Sequence, residues 1–349
     1  MKLLITGGCG FIGSNFIRLV LATRKAVRVT NLDALTYAGN PENVKDLERD
    51  PRYRFRKGSI ADEAVVDEMA GQGVDAIVNF AAESHVDRSL YGPLEFVKTN
   101  LQGTVTLLEA AKRHGVKRFL QVSTDEVYGS LPPEGFFRET TPLHPNNPYA
   151  STKAAADLMV QAYVHTFGVD AVITRSSNNY GPYQHPEKFI PLFVSNALEG
   201  RAVPLYGDGL HVRDWLHVAD NCRAILAALE KGRKGEVYNL GGGNERPNRD
   251  VAVRILNLLG RPEELIQYVA DRPGHDRRYA IDCSKAKREL GWAPRVKFDA
   301  GLRRAVEWYR ENAAGWVARV RSGEYRKYVK KQYGAAFAKA ALPVRRKKD

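Results

Sequence analysis

The run Thr124-Asp125-Glu126 puts a hydroxyl beside two adjacent carboxyls, and Tyr149-Ala150-Ser151-Thr152-Lys153 follows it shortly in the chain. Neighbouring carboxyls in one pocket can divide labour: one is kept protonated and acts as an acid, while the other ionises and acts as a base. Tyr149 and Lys153 stand four residues apart, so a helix would carry them on one face. An ammonium beside a phenol lowers the phenol pKa, which would make Tyr149 a usable base near neutral pH, and the same ammonium can hold a ribose. Acid, base and redox-competent phenol together are the parts for oxidising, eliminating from and reducing one substrate.

These residues need a scaffold, and the chain supplies its pattern. Apolar runs of strand length at 2–6, 27–31, 54–57, 76–80, 119–123 and 171–174 alternate with helical patterns, the habit of a parallel sheet covered on both faces. The fifth run closes on Thr124. Residues 100–111 are apolar at helical spacing and end near Gly115, and Pro148 suits the first turn of a helix that would present Tyr149 and Lys153. After Asn178 the chain becomes Pro- and Gly-punctuated, with short strands such as 236–240 and short helices such as 249–259. The expected fold is α/β: a Rossmann-type doubly wound parallel sheet over residues 1–177, with a later contribution around 213–243. A smaller C-terminal α/β substrate-binding domain would occupy mainly 178–330, and a basic, frayed or disordered tail 335–349.

Gly7-Gly8-Cys9-Gly10-Phe11-Ile12-Gly13 joins the first strand to the first helix. Glycines at 7, 10 and 13 permit a tight turn and close approach of a pyrophosphate to backbone N–H groups. Asp33 lies about 20 residues further on, where a carboxylate accepts ribose hydroxyls and repels a 2′-phosphate, which favours NAD over NADP. Phe80-Ala81-Ala82-Glu83-Ser84-His85 ends the fourth strand with small residues against which a dinucleotide could lie.

Bulk properties narrow the function class. The 349 residues are 44% hydrophobic and 27% charged, an ordinary globular composition. No pattern of a signal peptide or spanning segment is expected, and Cys9, Cys222 and Cys283 lack metal-ligand or disulfide spacing, which fits a reducing cytoplasm. The net charge of +13 is partly in Arg345-Arg346-Lys347-Lys348 and otherwise dispersed, without a groove-reading motif, so an anionic diphosphate ligand accounts for it better than nucleic acid. No metal is expected.

Taken in order, these residues resemble the extended short-chain dehydrogenase/reductase family. Thr124-Asp125-Glu126-Val127-Tyr128-Gly129, Ala82-Glu83-Ser84-His85-Val86-Asp87-Arg88-Ser89, Ser177-Asn178-Asn179-Tyr180-Gly181-Pro182-Tyr183, Arg213-Asp214-Trp215 and Asp271-Arg272-Pro273-Gly274-His275-Asp276 narrow the similarity to its nucleotide-sugar 4,6-dehydratases, over roughly residues 1–330. The resemblance implies NAD as cofactor and dTDP-glucose as substrate. It implies that Tyr149 deprotonates the C4 hydroxyl with Thr124 on the C4 oxygen, that Glu126 removes the C5 proton, and that protonated Asp125 releases the C6 hydroxyl as water. It further implies cofactor contacts at Gly7, Gly10, Phe11, Ile12, Gly13, Asp33, Ser59, Ile60, Phe80, Ala81, Ala82, Ser84, Thr99, Tyr149, Lys153 and Asn179. Substrate contacts are implied at Ser84, Thr124, Asp125, Glu126, Asn178, Lys188, Pro204, Tyr206, Arg213, Asn248, Asp271 and His275. Lys188 and Arg213 suit a diphosphate, and Pro204-Leu205-Tyr206 could border a pyrimidine. A homodimer joined by a four-helix bundle is also implied, with helices from near Asn100 and Pro148 and with Leu107 and Leu158 at the contact.

The chain departs from the family pattern at Ser59, which stands where an aspartate often meets adenine; a hydroxyl still accepts one hydrogen bond. Alternatives on the same fold are a UDP- or GDP-sugar 4,6-dehydratase, a 4-epimerase and a UDP-glucuronate decarboxylase. The last two need no paired carboxyls. A non-catalytic NAD- or RNA-binding relative is the alternative of another class.

Overall fold

The computed structural model describes residues 1–321 and 323–339, without the side chains of 324 and 335–339. Of the tail expected over 335–349, the backbone to 339 belongs to the helix Glu324–Lys339, and the basic run Arg345–Lys348 lies outside the described residues.

Seven strands form one wholly parallel sheet: β1 (Lys2–Thr6), β2 (Arg28–Asp33), β3 (Tyr53–Lys57), β4 (Ala76–Asn79), β5 (Arg118–Thr124), β6 (Ala171–Ser176) and the later β10 (Val237–Leu240). Their order is β10-β6-β5-β4-β1-β2-β3. The chain winds outward from β1 in both directions, and at this reversal a crevice opens beyond the strand carboxyl ends. Each expected strand forms, with some ends shifted by a residue or two: β5 gains Arg118 and Thr124, while Val27 and Phe80 fall outside β2 and β4. Helices cover both faces because β4 and β6 are buried along their whole length. One face packs Phe16, Ile17 and Val20 with Ile225 and Leu229, and the other packs Ile77, Leu107, Leu108 and Phe119.

Three polar residues within this core are matched in register. Thr6 lies beside Asn79 and Asn79 beside Gln121. Thr6 Oγ1 donates to Asn79 Oδ1 at 2.6 Å, and Asn79 Nδ2 donates to Gln121 Oε1 at 2.9 Å. These bonds satisfy Asn79 Oδ1 and Nδ2 and Gln121 Oε1 in the core, while Gln121 Nε2 has no partner among the described residues.

The second half of the chain adds β7 (Asn178–Tyr180), β8 (Val203–Tyr206), β9 (Val212–His217), β11 (Glu245–Pro247) and β12 (Ile266–Val269). They form a three-stranded sheet, β11-β9-β7, and a parallel pair, β12-β8. The separate core around Phe193, Ile255, Phe298 and Tyr309 supports them. The strand expected at 236–240, within the later contribution around 213–243, adds to the large sheet, where β10 pairs with β6.

The helix expected from Asn100 starts as a π-helical turn, Val97–Gln102, and becomes α-helical over Gly103–Arg113. Leu107 is fully buried in the sheet-facing core, whereas Leu158 is exposed. The expectation that both face a partner is therefore corrected for Leu107: the helix is apolar on two sides, and Leu107 is on the inner one. Among the described residues no helix is long and apolar enough to cross a membrane.

Candidate active site

The glycine turn shapes one side of the crevice. Gly7 has φ of 69°, and a Cβ there would lie 2.6 Å from the Ala81 nitrogen. A Cβ on Gly13 would lie 2.4 Å from the Gly7 carbonyl. Positions 7 and 13 are therefore closed to any side chain, which leaves backbone N–H groups and the first turn of the helix Phe11–Thr23 facing the crevice. Gly7, Gly10, Phe11, Ile12, Gly13 and Phe80 line it, a cradle that fits a dinucleotide.

Asp33 ends β2 behind this loop. Its carboxylate accepts from Cys9 N and Leu35 N, each at 2.8 Å, and burial raises its pKa although those bonds oppose the rise. Asp33, Ser59, Ile60, Ala81, Ala82, Thr99 and Lys153 stand outside the lining. Ser59 Oγ accepts from Ala61 N at 3.1 Å, and Ile60 is buried toward Gly103, where an added Cβ would lie 2.5 Å from it. Thr99 gives the inward position to its neighbour Asn100, whose amide bonds Glu83 N and O at 2.9 and 3.0 Å.

The chemical groups lie across the cleft. Thr124 ends β5, and its hydroxyl caps the 3₁₀ turn Asp125–Tyr128 by accepting from Glu126 N at 3.2 Å. This cap aims both carboxyls into the cleft, which Thr124, Asp125, Glu126 and Tyr149 all line. Asp125 Oδ2 and Glu126 Oε2 are buried and have no hydrogen-bond partner among the described residues. Burial raises the Asp125 pKa far above the ordinary carboxyl range, with Glu126 and Asp214 adding to it. Burial also raises Glu126, but Arg272, Lys188 and Arg213 pull it back. The two carboxyls are thus pushed apart in the sense of one acid and one base.

Tyr149 and Lys153 start the helix Pro148–Phe167, capped by Asn147, whose side chain accepts from Ala150 N at 2.9 Å. Lys153 Nζ donates to the Val122 carbonyl at 2.7 Å, and burial lowers its pKa to about 8, opposed by Asp157. The phenol does not follow the expectation. Burial first, and then the Glu126 carboxylate, raise the Tyr149 pKa well above its ordinary value, while Thr124 opposes them. The ammonium is committed to a backbone carbonyl, and the charge that acts most on the phenol is the negative one of Glu126.

A second chamber adjoins the first through Asn178, Lys188 and Glu126, which border both. Pro204, Tyr206, Arg213, Asn248 and His275 line it, and Ser84 and Asn179 line the first. Lys188 Nζ donates to the Ser84 carbonyl at 2.6 Å. Arg213 donates to the Val212 and Asp276 carbonyls, both at 2.8 Å, beneath the Tyr279 ring. Asp271 stays outside the lining and accepts from His275 Nδ1 at 2.6 Å. Sequence reading missed Asp87, Arg272 and Tyr333, which also border this chamber. Arg272 and Asp87 lay inside quoted motifs; Tyr333 carried no signal.

The parallel sheet, glycine turn and Tyr149–Lys153 helix define a short-chain dehydrogenase/reductase of the extended type. Comparisons narrow this. The family model described as GDP-mannose 4,6 dehydratase matches residues 4–305. The dTDP-glucose 4,6-dehydratase of Streptomyces niveus is 52% identical over 320 residues, covering 90% of this chain and 95% of that one. The crystal structure of the dTDP-glucose 4,6-dehydratase of Streptomyces venezuelae, with NAD and TYD bound, matches with a TM-score of 0.89 and 53% identity, covering 90% of this chain and 99% of that one. UDP-glucose 4-epimerase from Thermotoga maritima has the same fold at a TM-score of 0.83 but only 32% identity, covering 89% of this chain and 99% of that one. The chain belongs to the dTDP-glucose 4,6-dehydratase family.

Proposed function

We infer that this protein converts dTDP-glucose to dTDP-4-keto-6-deoxyglucose and water, with NAD as a cofactor regenerated in each turnover. The observation that carries this reading is the pair of buried, unpartnered carboxyl oxygens on Asp125 and Glu126 in the cleft that also holds Tyr149. The same fold serves an epimerase, so the acid–base pair, not the fold, marks a dehydratase.

The cradle of Gly7, Gly10 and Gly13 fits the NAD pyrophosphate, with Asp33 behind the loop and Lys153 and Asn179 toward the nicotinamide ribose. The chemistry that bound NAD supplies is reversible hydride acceptance. Tyr149 takes the C4 hydroxyl proton as its phenolate, a form that burial and Glu126 disfavour and that the positive charge of oxidised NAD would favour, and Thr124 holds the oxygen that becomes the C4 ketone. That ketone acidifies C5–H. Glu126 takes the C5 proton, and Asp125 donates its own proton to the C6 hydroxyl, which leaves as water. The hydride lost from C4 is regained at C6 and a proton at C5, so the balance is loss of one water.

Lys188, Arg213 and Arg272 supply the positive side of the diphosphate site, and Pro204, Tyr206 and Asn248 face the nucleoside. Residues 1–177 with 213–243 form the cofactor half, and 178–330 mainly the nucleotide-sugar half. The protein works as a homodimer in the cytoplasm, joined through the helices at 103–113 and 148–167, whose outer face carries exposed Leu158.

Product analysis tests the reaction. Protein incubated with dTDP-glucose should form a 4-keto-6-deoxy sugar, faster than with UDP-glucose; thymine and uracil differ by one methyl, worth roughly 10- to 200-fold. C4 inversion of a sugar nucleotide without dehydration would overturn the assignment.

A further inference from the structure

Asp87 is on the short helix Val86–Tyr91, 2% exposed, at the wall of the second chamber. Its Oδ1 accepts from Arg272 Nη1 at 3.0 Å. Its Oδ2 accepts from the Tyr206 hydroxyl at 3.0 Å and from the Tyr328 hydroxyl at 3.3 Å. One carboxylate therefore joins β8, the loop after β12 and the helix Glu324–Lys339, three segments far apart in sequence.

The terminal helix closes the same group of contacts. Gln332 Nε2 donates to the Tyr206 hydroxyl at 2.8 Å, and Tyr333 borders the chamber. Arg272 Nε is buried without a hydrogen-bond partner among the described residues, although Arg272 Nη1 is held by Asp87. A guanidinium anchored by one nitrogen at the border of a chamber, with Nε unpartnered, is set up to bind an anion. Lys188 and Arg213 are anchored differently, by neutral backbone carbonyls.

We propose that Asp87 is a positioning residue for the nucleotide diphosphate: it aims Arg272 at the phosphates and, through Tyr206 and Tyr328, ties the nucleoside wall and the terminal helix to the same point. The proposal rests on the nucleotide-sugar reading above. Asp87 touches neither the reacting sugar nor the cofactor in this account, and its effect passes through Arg272 and Tyr206.

The test is Asp87→Asn, which keeps an acceptor for a tyrosine hydroxyl but loses the charge that holds Arg272. A charge-assisted hydrogen bond of this kind supports an affinity loss of about tenfold or more. We expect such a loss in dTDP affinity by calorimetry and a matching rise in KM for dTDP-glucose, with a much smaller fall in kcat. Thymidine, which lacks phosphates, should lose little affinity, and copurified NAD should remain. Arg272→Gln should reproduce the loss, and the double variant should be no worse than Arg272→Gln alone. Unchanged dTDP affinity in Asp87→Asn would overturn the proposal. So would an equal loss of dTDP, thymidine and NAD, the signature of a merely structural role, and so would additive losses in the double variant. Failure of the function reading would show separately, as wild-type protein that binds dTDP but does not dehydrate dTDP-glucose.

Discussion

The Lys153 ammonium donates to the Val122 carbonyl at 2.7 Å, so this lysine is anchored to β5, the strand that leads into the turn bearing Asp125 and Glu126. Asp157 follows Lys153 by one helical turn and is fully buried, accepting from Arg175 Nε at 2.9 Å and Ser123 Oγ at 3.0 Å. Tyr149, Lys153 and Asp157 thus form one stripe on the helix Pro148–Phe167 at i, i+4 and i+8.

This stripe sets a pH dependence. Burial depresses Lys153 from 10.5 to about 8, and Asp157 is the charge that opposes the fall. If the ammonium is the active form, kcat/KM declines above about pH 8. Asp157→Asn should move that limb to lower pH; a limb that stays in place would separate it from Lys153. The stability sign is the reverse of activity. Between about 8 and 10.5 the unfolded chain binds more protons at this lysine than the folded one, so its contribution to stability rises with pH across that window.

Asp125 and Glu126 should fail differently. Asp125→Asn removes the proton donor for the C6 hydroxyl and should slow water loss by about 10²- to 10⁴-fold, leaving oxidation at C4 detectable in a single turnover as reduced nicotinamide absorbance. Glu126→Gln should abolish solvent deuterium exchange at C5 as well. Retained C5 exchange in Glu126→Gln would assign the base elsewhere.

Position 13 of the glycine turn has no room for a methyl group. A Cβ on Gly13 would meet the Gly7 carbonyl at 2.4 Å, so Gly13→Ala must shift the loop that faces the dinucleotide. The purified variant is expected to lose bound NAD while keeping its helical circular dichroism, because the collision is confined to the loop. Wild-type NAD content in Gly13→Ala would contradict the placement.

Leu107 and Leu158 separate folding from assembly. A charge at Leu107, 0% exposed, goes into the core and should cost more than about 3 kcal/mol, seen as a large drop in thermal midpoint. A charge at Leu158, 55% exposed, should leave the fold intact and convert a dimer to monomers on size-exclusion chromatography. An unaltered dimer would place the contact on another face.

Local signals were readable in the sequence. Gly7 to Gly13 follows an apolar run and opens a helix, and Thr124 to Glu126 closes one, so these groups could be set on strand ends before any coordinates. What sequence could not show depends on long-range closure. Asp87, Tyr206, Arg272 and Tyr328 meet across more than half the chain. Leu107 is in a helix apolar on two sides, and periodicity alone does not choose the inner one. The partner of Lys153 is a backbone carbonyl, which no side-chain pattern reveals, and the expected lowering of the Tyr149 pKa failed because burial and Glu126 raise it. Ser59 spends its acceptor on its own turn.

The most direct test of the central claim follows one hydrogen. dTDP-glucose carrying deuterium at C4 is incubated with the protein in ordinary water, and the product is read by NMR. The account predicts a 4-keto-6-deoxy product with the deuterium at C6 and solvent hydrogen at C5. Deuterium returned to C4 of an epimer, or a dehydrated product with no deuterium at C6, would contradict it.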